Sequence, residues 1–440
     1  MKFFEKIINN TKLFLESNWG VIAICSLATL FWCFNLPVVA VAVLAVGVIL
    51  CFLTCDDIKL LFGPFMLVPF FSVDVQNPTE LTTYAIVFGF VFASFIFYIV
   101  KHRKMPVRKG NMFWGLMIAD IAFLLGGIVG HFDIKTFFII LALNVAMYLV
   151  YFVAINYTKN LIPYLMMCFV VVAMCLVVQF GLLLVRSGDI LDCILSRGVQ
   201  SIGDMSINVA ALYYPLGVIG GIYLAKKSEK YKYIYIILSA VMFVFMLLTY
   251  CRGVIVTSSL VILALCIWLI AKSPKRKTLA ITFGSVLVGV CILTFAIPTL
   301  REIVLGFISR GLSTSGRDEL WAWCIEQFRS SPIFGIGFVV SEPPPSLTLN
   351  IVMAHNTVLQ WFTSLGIVGT VLMIPFYYQK YKTFFGKYNL NKLCCLCCVL
   401  CIALEGILNP ACFIVFFVVA MSLVLVGAVE NENNNLATNN

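Results

Sequence analysis

The sequence predicts an all-α polytopic membrane protein. Hydrophobic residues make up 62% of the 440-residue chain, charged residues make up only 11%, and the mean hydropathy is +1.03. Such values lie outside the range of soluble globular proteins and are typical of chains whose solvent is lipid. Apolar runs of spanning length cover most of the sequence, which predicts one helical bundle rather than several soluble domains.

The first predicted segment is a cytoplasmic N-terminal overhang over residues 1–18. It carries Lys2, Lys6 and Lys12 ahead of the first apolar run and shows no small-residue cleavage site, which predicts that it is retained. The predicted segments that follow are a transmembrane bundle over 19–297, an extracytoplasmic loop over 298–354, C-terminal transmembrane helices over 355–428 and a polar cytoplasmic tail over 429–440.

Candidate spans were judged against the roughly 20 apolar residues that a spanning helix needs. They lie at about 20–35, 38–55, 60–72, 82–100, 113–130, 136–156, 161–185, 207–225, 233–250, 254–271, 278–297, 356–377, 393–408 and 411–428. The run at 60–72 is short and contains Pro64 and Pro69, and Asn409 and Pro410 separate the last two runs very closely. We therefore expect twelve to fourteen spans.

The basic residues predict the orientation of the chain. Alternation from a cytoplasmic N-terminus places the clusters at 101–109, 226–232, 272–277 and 380–392 inside, as the positive-inside rule requires. Of the 30 basic residues, 22 are then inside, and the eight outside are one lysine and seven arginines. The net charge of +10 thus reflects orientation rather than a nucleic-acid partner. Because a guanidinium matches phosphate or carboxylate in a bidentate way, the arginine bias indicates an anionic ligand outside.

The predicted outer loop contains an amphipathic helix over residues 315–330. Its apolar face comprises Leu320, Trp321, Cys324, Ile325 and Phe328. Ser315 is a suitable N-cap and Asp318 has the spacing of a capping box, which places Arg317 in the first turn. A cation there opposes the helix dipole, but a bound anion would turn that end into a favourable site. The alternative is a solvated arginine on a surface helix.

Two further residues are candidates on the same predicted face. Arg252 stands between two apolar helices at the outer boundary, and a charge at membrane depth is by default a functional hypothesis. Its alternative is snorkelling to lipid headgroups. His355 begins the apolar run after the outer loop, where it could accept a proton from a hydroxyl near neutral pH. Its alternative is a cap or interface residue.

Other polar and sulfur-containing residues predict no metal site. Residues 394–398 hold overlapping C-x-x-C spacings without an adjacent histidine, so packing or reversible acylation is expected. Asp120 and Glu405 lie inside predicted spans, where each could mark a proton or ion route or be a hydrogen-bonded packing residue. The glycines of 334–338 would allow close backbone approach, but the pattern is not a nucleotide loop.

Several motifs occur together in the second half of the chain. They are Cys-Arg-Gly at 251–253, Ser-Gly-Arg with a following tryptophan at 315–321, Pro-Ile-Phe-Gly-Ile-Gly at 332–337 and His-Asn-Thr-Val-Leu-Gln-Trp-Phe-Thr-Ser-Leu-Gly-Ile-Val-Gly at 355–369. In this order they resemble the O-antigen ligase and polymerase family of bacterial envelope proteins. The resemblance is strongest over 249–369, Asn208 also looks like a family position, and the N-terminal half matches in hydropathy alone.

The resemblance implies a GT-C-like glycosyltransferase of the bacterial cytoplasmic membrane, with its active site facing the periplasm or exterior. It implies an undecaprenyl-diphosphate-linked glycan donor, a glycan or lipid-core acceptor, and no metal or other cofactor. Carried over residue by residue, His355 would be the catalytic base, and Arg317 and Arg252 would bind the diphosphate and stabilise the leaving group. Asn356 and Asn208 would contribute to substrate binding. Other polysaccharide-assembly proteins are possible partners.

Three functional hypotheses remain open at this point. The leading one is glycan transfer in O-antigen, capsule or exopolysaccharide assembly, as a polymerase or a ligase, with a slight preference for the polymerase. The second is a transporter or flippase for the same lipid-linked glycans, which would require internal repeats and a charged site at the membrane midplane. The third is a structural membrane scaffold, in which lysine could replace the outer arginines without loss.

Overall fold

A computed structural model describes residues 2–71, 78–129, 132–203, 205–309, 317–339, 353–406 and 416–438. The predicted all-α class is confirmed, because these residues are overwhelmingly helical and their strands are one antiparallel pair, Ser201–Ile202 with Met205–Ser206. Clustering of the backbone divides the chain into two compact units. The first unit comprises Met1–Arg103 with Pro163–Leu312, and the second comprises Lys104–Ile162 with Ser313–Asn440.

The helices of the first unit include most of the long apolar ones. From the first part of the chain they are α1 (Lys2–Glu16), α2 (Asn18–Cys33), α3 (Pro37–Thr54), α4 (Phe62–Leu67) and α5 (Pro78–Lys101). The chain then contributes two helices to the second unit and returns with α8 (Leu161–Arg186), α9 (Ile190–Ser196), α10 (Ile207–Lys227), α11 (Lys232–Leu248), α12 (Arg252–Ala271), α13 (Arg276–Ala296) and α14 (Pro298–Ser309). Short 3-10 turns at Lys59–Leu61 and Val68–Phe70 flank α4.

The second unit contains the remaining helices. They are α6 (Met112–Leu125), α7 (Ile134–Asn156), α15 (Arg317–Ser330), α16 (Thr357–Leu372), α17 (Ile374–Lys382), α18 (Leu390–Glu405) and α19 (Phe416–Thr438). Within this unit α6 packs against α16 and α17, α7 packs against α19, and α15 packs against α16.

The chain is a multi-pass membrane protein. Among the described residues six helices are long and apolar enough to span a bilayer: Pro37–Thr54, Thr82–Lys101, Phe137–Asn156, Leu161–Arg186, Ile207–Lys227 and Arg252–Ala271. Two bent pairs, Glu5–Glu16 with Asn18–Cys33 and Thr357–Leu372 with Ile374–Lys382, raise the number to eight. Three further apolar helices, in the runs near 60–72, 113–130 and 233–250, have under 18 residues, so the expected twelve to fourteen spans stay a prediction. The expected break at Asn409 and Pro410 lies outside the described residues.

The predicted N-terminal overhang is a helix that packs on the first unit. Its axis bends by 81° from that of α2, and α1 contacts both α2 and α3. Lys12 forms an ion pair with Asp56, which follows α3, and Asp56 also lies 3.4 Å from Nε2 of the buried His102. Glu16 accepts a hydrogen bond from the backbone N-H of Asp56 at 3.2 Å. Residues at the end of α5 and α3 therefore hold this helix in place.

The predicted polar tail begins inside α19 with two buried residues. The Glu430 carboxylate accepts hydrogen bonds from the backbone N-H of Asn111 at 3.2 Å and from the hydroxyl of Tyr151 at 2.5 Å. Asn431 accepts from the Arg108 guanidinium at 3.2 Å and donates to the carbonyl of Thr158 at 3.0 Å. These bonds join α19 to the start of α6 and the end of α7, so residues 430 and 431 are part of the packed structure.

A break in α16 accommodates the segment at 331–339. Gly366 has φ 65° and ψ −166°, which interrupts the helix between Thr363 and Val368. The carbonyls of Thr363 and Ser364 accept from the N-H groups of Ile336 and Gly337, each at 2.9 Å, instead of from residues four positions ahead in the helix. The N-H groups of Ile367 and Val368 donate in turn to the carbonyls of Pro332 and Ile333, at 2.8 and 3.1 Å. Four backbone groups at the break are therefore bonded to the 331–339 segment instead of within the helix.

The cysteine-rich run lies in α18. Cys394, Cys395, Cys397 and Cys398 are all buried. Their burial fits the packing interpretation, since a thiol in an apolar interior behaves as a small hydrophobe.

Candidate functional site

In the second unit, two side chains hold the peptide that precedes His355. The backbone N-H of Ala354 donates to Oε1 of Gln360 at 2.8 Å, and its carbonyl accepts from the indole N-H of Trp321 at 2.9 Å. Gln360 is itself held by a hydrogen bond from its Nε2 to Oγ of Ser364 at 2.8 Å. Both polar groups of a fully buried residue are thus satisfied, which fixes the backbone immediately before the histidine.

His355 adopts a left-handed backbone conformation one position ahead of the helix cap. Its φ is +48°, and the next residue, Asn356, is the N-cap of α16, with Oδ1 accepting from the N-H of Leu359 at 2.9 Å. A non-glycine residue in this region costs on the order of 1–3 kcal/mol and persists where its surroundings determine it. His355 therefore lies outside the helix, and Asn356 uses its side-chain oxygen for capping.

The imidazole of His355 is neutral and half-buried. Its Nδ1 is buried and has no hydrogen-bond partner among the described residues. Burial, and secondly the charge of Arg317, lower the pKa of His355 to about 4, compared with about 6.5 for an unperturbed histidine. At neutral pH the ring consequently has a lone pair with which to accept a proton.

Arg317 is the first residue of α15, as the sequence predicted. It is half-buried, and its charge is close enough to His355 to lower the pKa of that residue. The predicted N-cap, Ser315, lies outside the described residues, so the capping box stays a prediction. A cation at the first helical position opposes the dipole of α15, whereas a bound anion would be favoured by the dipole and the guanidinium together.

The apolar face of α15 seats the helix against the start of α16. Leu320 and Cys324 are buried and pack with Ala354, and the hydroxyl of Thr363 donates to the carbonyl of Cys324 at 3.2 Å. The prediction for this face fails at Ile325, which is 42% exposed. Because the helix turns through about 100° per residue, its apolar residues spread over a wide stripe. The contact with α16 covers only part of that stripe, so Ile325 is left exposed.

In the first unit, Arg252 has the same placement that Arg317 has in the second. It is the first residue of α12 and is half-buried. The residue before its N-cap, Tyr250, is buried and has φ +55°, a strained conformation for a bulky side chain. The helix-dipole argument that the sequence supported for Arg317 therefore applies to Arg252 as well, and snorkelling alone does not explain this local geometry.

Asn208 lies beside the residue that precedes Arg252. Its Oδ1 accepts two hydrogen bonds, from the Arg197 guanidinium at 3.0 Å and from Sγ of Cys251 at 3.0 Å. The carbonyl oxygen of this candidate substrate-binding residue is therefore engaged within the protein. Arg197 was not singled out by motif, although it is one of the seven outer arginines whose excess over lysine was the available signal.

The structure thus groups Arg317, His355 and Asn356 in one unit, and Arg252 and Asn208 in the other. Asp120, considered above as part of an ion route, accepts a hydrogen bond from Nδ2 of Asn144 at 2.6 Å. Such a bond is typical of a packing residue. The position of His355 after the outer loop made it a candidate, and the resemblance implied its role as the base, whereas its lowered pKa follows from burial.

The fold and these two residue groups define a multi-pass helical membrane protein with arginines and a histidine at helix starts. Among known families, the model described as O-antigen ligase matches residues 237–374 of the chain. This match supports the resemblance to the O-antigen ligase and polymerase family that the motifs predicted. A match of this kind indicates a glycosyltransferase-like ligase or polymerase. No curated protein matches the chain.

Proposed function

We propose that this protein transfers a glycan from an undecaprenyl-diphosphate-linked donor to an acceptor hydroxyl, on the outer face of the bacterial cytoplasmic membrane. The product would serve O-antigen, capsule or exopolysaccharide assembly, as a polymerase or as a ligase. The observation that carries the proposal is the neutral His355, with a buried and unpartnered Nδ1, held within the electrostatic reach of a helix-start arginine.

In the proposed reaction His355 accepts the proton of the acceptor hydroxyl. The acceptor oxygen bonds to the anomeric carbon of the donor, the bond between that carbon and the diphosphate oxygen breaks, and undecaprenyl diphosphate leaves with the electron pair. A general base with this location needs a free ring nitrogen and a neutral ring, and His355 has both.

Arg317 and Arg252 are proposed to bind the diphosphate. Each is half-buried and each is the first residue of a helix, where backbone N-H groups and the dipole also favour an anion. Fixed guanidinium groups of this kind stabilise the charge that develops on the leaving diphosphate, and they do so without a divalent cation. Asn356 is proposed to contact substrate through Nδ2.

The test is in vitro transfer from a lipid-diphosphate glycan donor in the presence of EDTA. We expect the wild type to turn over, and His355→Ala, Arg317→Lys and Arg252→Lys to lose roughly 100-fold or more of kcat/KM, as is usual when a base or a charge-stabilising group is removed. Arg329→Lys, at the exposed far end of α15, is the matched control and should behave as wild type.

Unimpaired turnover of all three site variants would contradict the site assignment. Loss of turnover in EDTA that Mg²⁺ restores would contradict metal independence alone. A loss on Arg→Lys exchange while donor binding survives would support recognition by the guanidinium fork over a point charge.

A further inference from the structure

The first unit contains a partly buried cation, Arg197, that has no counter-charge among the residues that the structure describes. Among the described residues the Arg197 guanidinium forms no ion pair with a carboxylate, and its Nε is buried without a hydrogen-bond partner. Its protein contacts are neutral: Nη2 lies 3.0 Å from Oδ1 of Asn208 and 3.8 Å from Sγ of Cys251. A buried polar group normally has a partner, and a buried charge normally has a counter-charge.

The backbone around Arg197 directs its side chain away from the helix that it terminates. Arg197 is the C-cap of α9 with φ +58°, a conformation that glycine or asparagine usually supplies. A cation at a helix C-terminus can bond the last carbonyls and so complement the dipole. The Arg197 guanidinium instead crosses to Asn208, at the start of α10, and to Cys251, the N-cap of α12.

Asn208 is suited to hold a guanidinium without neutralising it. Its Oδ1 accepts from both Arg197 and Cys251, so the amide orients one edge of the guanidinium and joins it to the residue that precedes Arg252. A carboxylate at the same position would make the same hydrogen bonds and would also cancel the charge. The neutral amide keeps the positive charge available on the remaining N-H groups.

We propose that Arg197 binds a phosphate oxygen of the polyprenyl-diphosphate donor, with Asn208 as the positioning residue that orients its guanidinium. This inference rests on the proposed function and adds to it a third arginine, outside the segment that matches the family. A water molecule would leave the charge uncompensated, whereas a phosphate oxygen on the remaining guanidinium N-H groups would supply the counter-charge.

The decisive variant is Asn208→Asp. It retains an acceptor oxygen for Arg197 and Cys251, so a purely structural network would be preserved or strengthened by the new ion pair. If Arg197 binds an anion, the introduced carboxylate competes with it, and the dissociation constant for undecaprenyl diphosphate in nanodiscs should rise by roughly tenfold or more. The thermal unfolding temperature should not fall.

The matched control is Arg186→Lys. Arg186 is another predicted outer arginine with neutral partners, the side chain of Asn35 and the carbonyl of Cys33, at 3.3 and 3.0 Å. Its exchange should leave the affinity within about twofold of wild type. Phosphatidylglycerol is the competing anion that tests the source of the phosphate: displacement of undecaprenyl diphosphate at equal concentration would show a general headgroup site and overturn the donor assignment.

Affinity of Asn208→Asp within about twofold of wild type would overturn the inference. If that variant does not fold, Arg197→Lys and Arg197→Gln decide, because the proposal requires wild type to bind more tightly than the lysine variant and the lysine variant more tightly than the glutamine variant. Equal affinities would contradict it. If the wild type transfers glycan but these variants bind undecaprenyl diphosphate normally, only the role of Arg197 is refuted. If the wild type neither transfers glycan nor binds the diphosphate, the proposed function is refuted.

Discussion

At the scale of single residues, backbone strain and candidate function coincide. Five described non-glycine residues have a positive φ, and three of them, Arg197, Tyr250 and His355, are candidate residues or lie beside one. Each such conformation costs on the order of 1–3 kcal/mol unless the residue type tolerates it, so it persists where packing and hydrogen bonds impose it. At His355 the imposing contacts are the two hydrogen bonds to Ala354.

The pH dependence of transfer should report the environment of His355. Because its pKa is lowered to about 4, the ring is neutral above that pH in the free enzyme, and kcat/KM should fall only as the pH approaches 4. A bound diphosphate favours the imidazolium, so the acid limb of kcat should lie at higher pH than the acid limb of kcat/KM. Steady-state rates measured over roughly pH 3.5 to 8 show whether the acid limb of kcat lies at higher pH than the acid limb of kcat/KM.

Arg317→Gln provides the internal comparison. The charge of Arg317 contributes to the lowered pKa of His355, so its removal should move the acid limb of kcat/KM to higher pH. Arg329→Gln, at the exposed end of the same helix, should leave the limb in place. A limb that stays fixed or moves to lower pH in Arg317→Gln would contradict the electrostatic coupling of the two residues.

At the scale of elements, the break in α16 explains the Pro-Ile-Phe-Gly-Ile-Gly motif. The sequence indicated close backbone approach at these glycines, and the structure shows what approaches. Gly335 has φ +67°, and a Cβ there would lie 2.5 Å from the carbonyl carbon of Ser364 and 2.6 Å from the nitrogen of Gly366. The motif thus fills the gap in α16 with four backbone hydrogen bonds. These bonds position α16, which follows His355, and α15, which begins with Arg317, packs against α16.

Gly335→Ala should destabilise the protein by roughly 3 kcal/mol or more, because it adds a steric clash with backbone atoms to an unfavourable φ. Thermal unfolding in detergent measures this effect. Gly284→Ala in α13, where an added Cβ meets nothing within 4 Å, should be neutral or slightly stabilising. Equal unfolding temperatures for the two variants would show that the segment does not depend on close approach.

At the scale of the whole molecule, hydropathy and charge carry the largest share of the prediction. The all-α membrane class is confirmed, and the family match over residues 237–374 supports the resemblance that the motifs predicted. The expected number of twelve to fourteen spans stays a prediction, because an apolar run indicates burial in lipid or protein but does not fix where helical geometry starts and stops. The run at 60–72 illustrates this, since its prolines and two 3-10 turns leave only Phe62–Leu67 in α-helical form.

Orientation is the whole-molecule prediction that an experiment can settle directly. We expect the lysine cluster at 226–232 to face the cytoplasm and the start of the loop at 187–189 to face the outside. Alkaline phosphatase, which is active only after export, should be active when fused after Gly188 and inactive when fused after Ser228. The reverse pattern would place Arg252, Arg317 and His355 inside and would exclude the proposed outer-face transfer.

The sequence by itself determined the class, the family resemblance and the position of Arg317 in a first turn, because hydropathy, motif order and helix capping are local properties. Only the tertiary structure decided the neutral state of His355, the break in α16 and the bonds from Arg197 and Cys251 to Asn208. Those bonds join residues 11 and 43 positions apart. The spacing of such partners is set by packing between helices, and burial, which lowers the pKa of His355, exists only once the helices have packed.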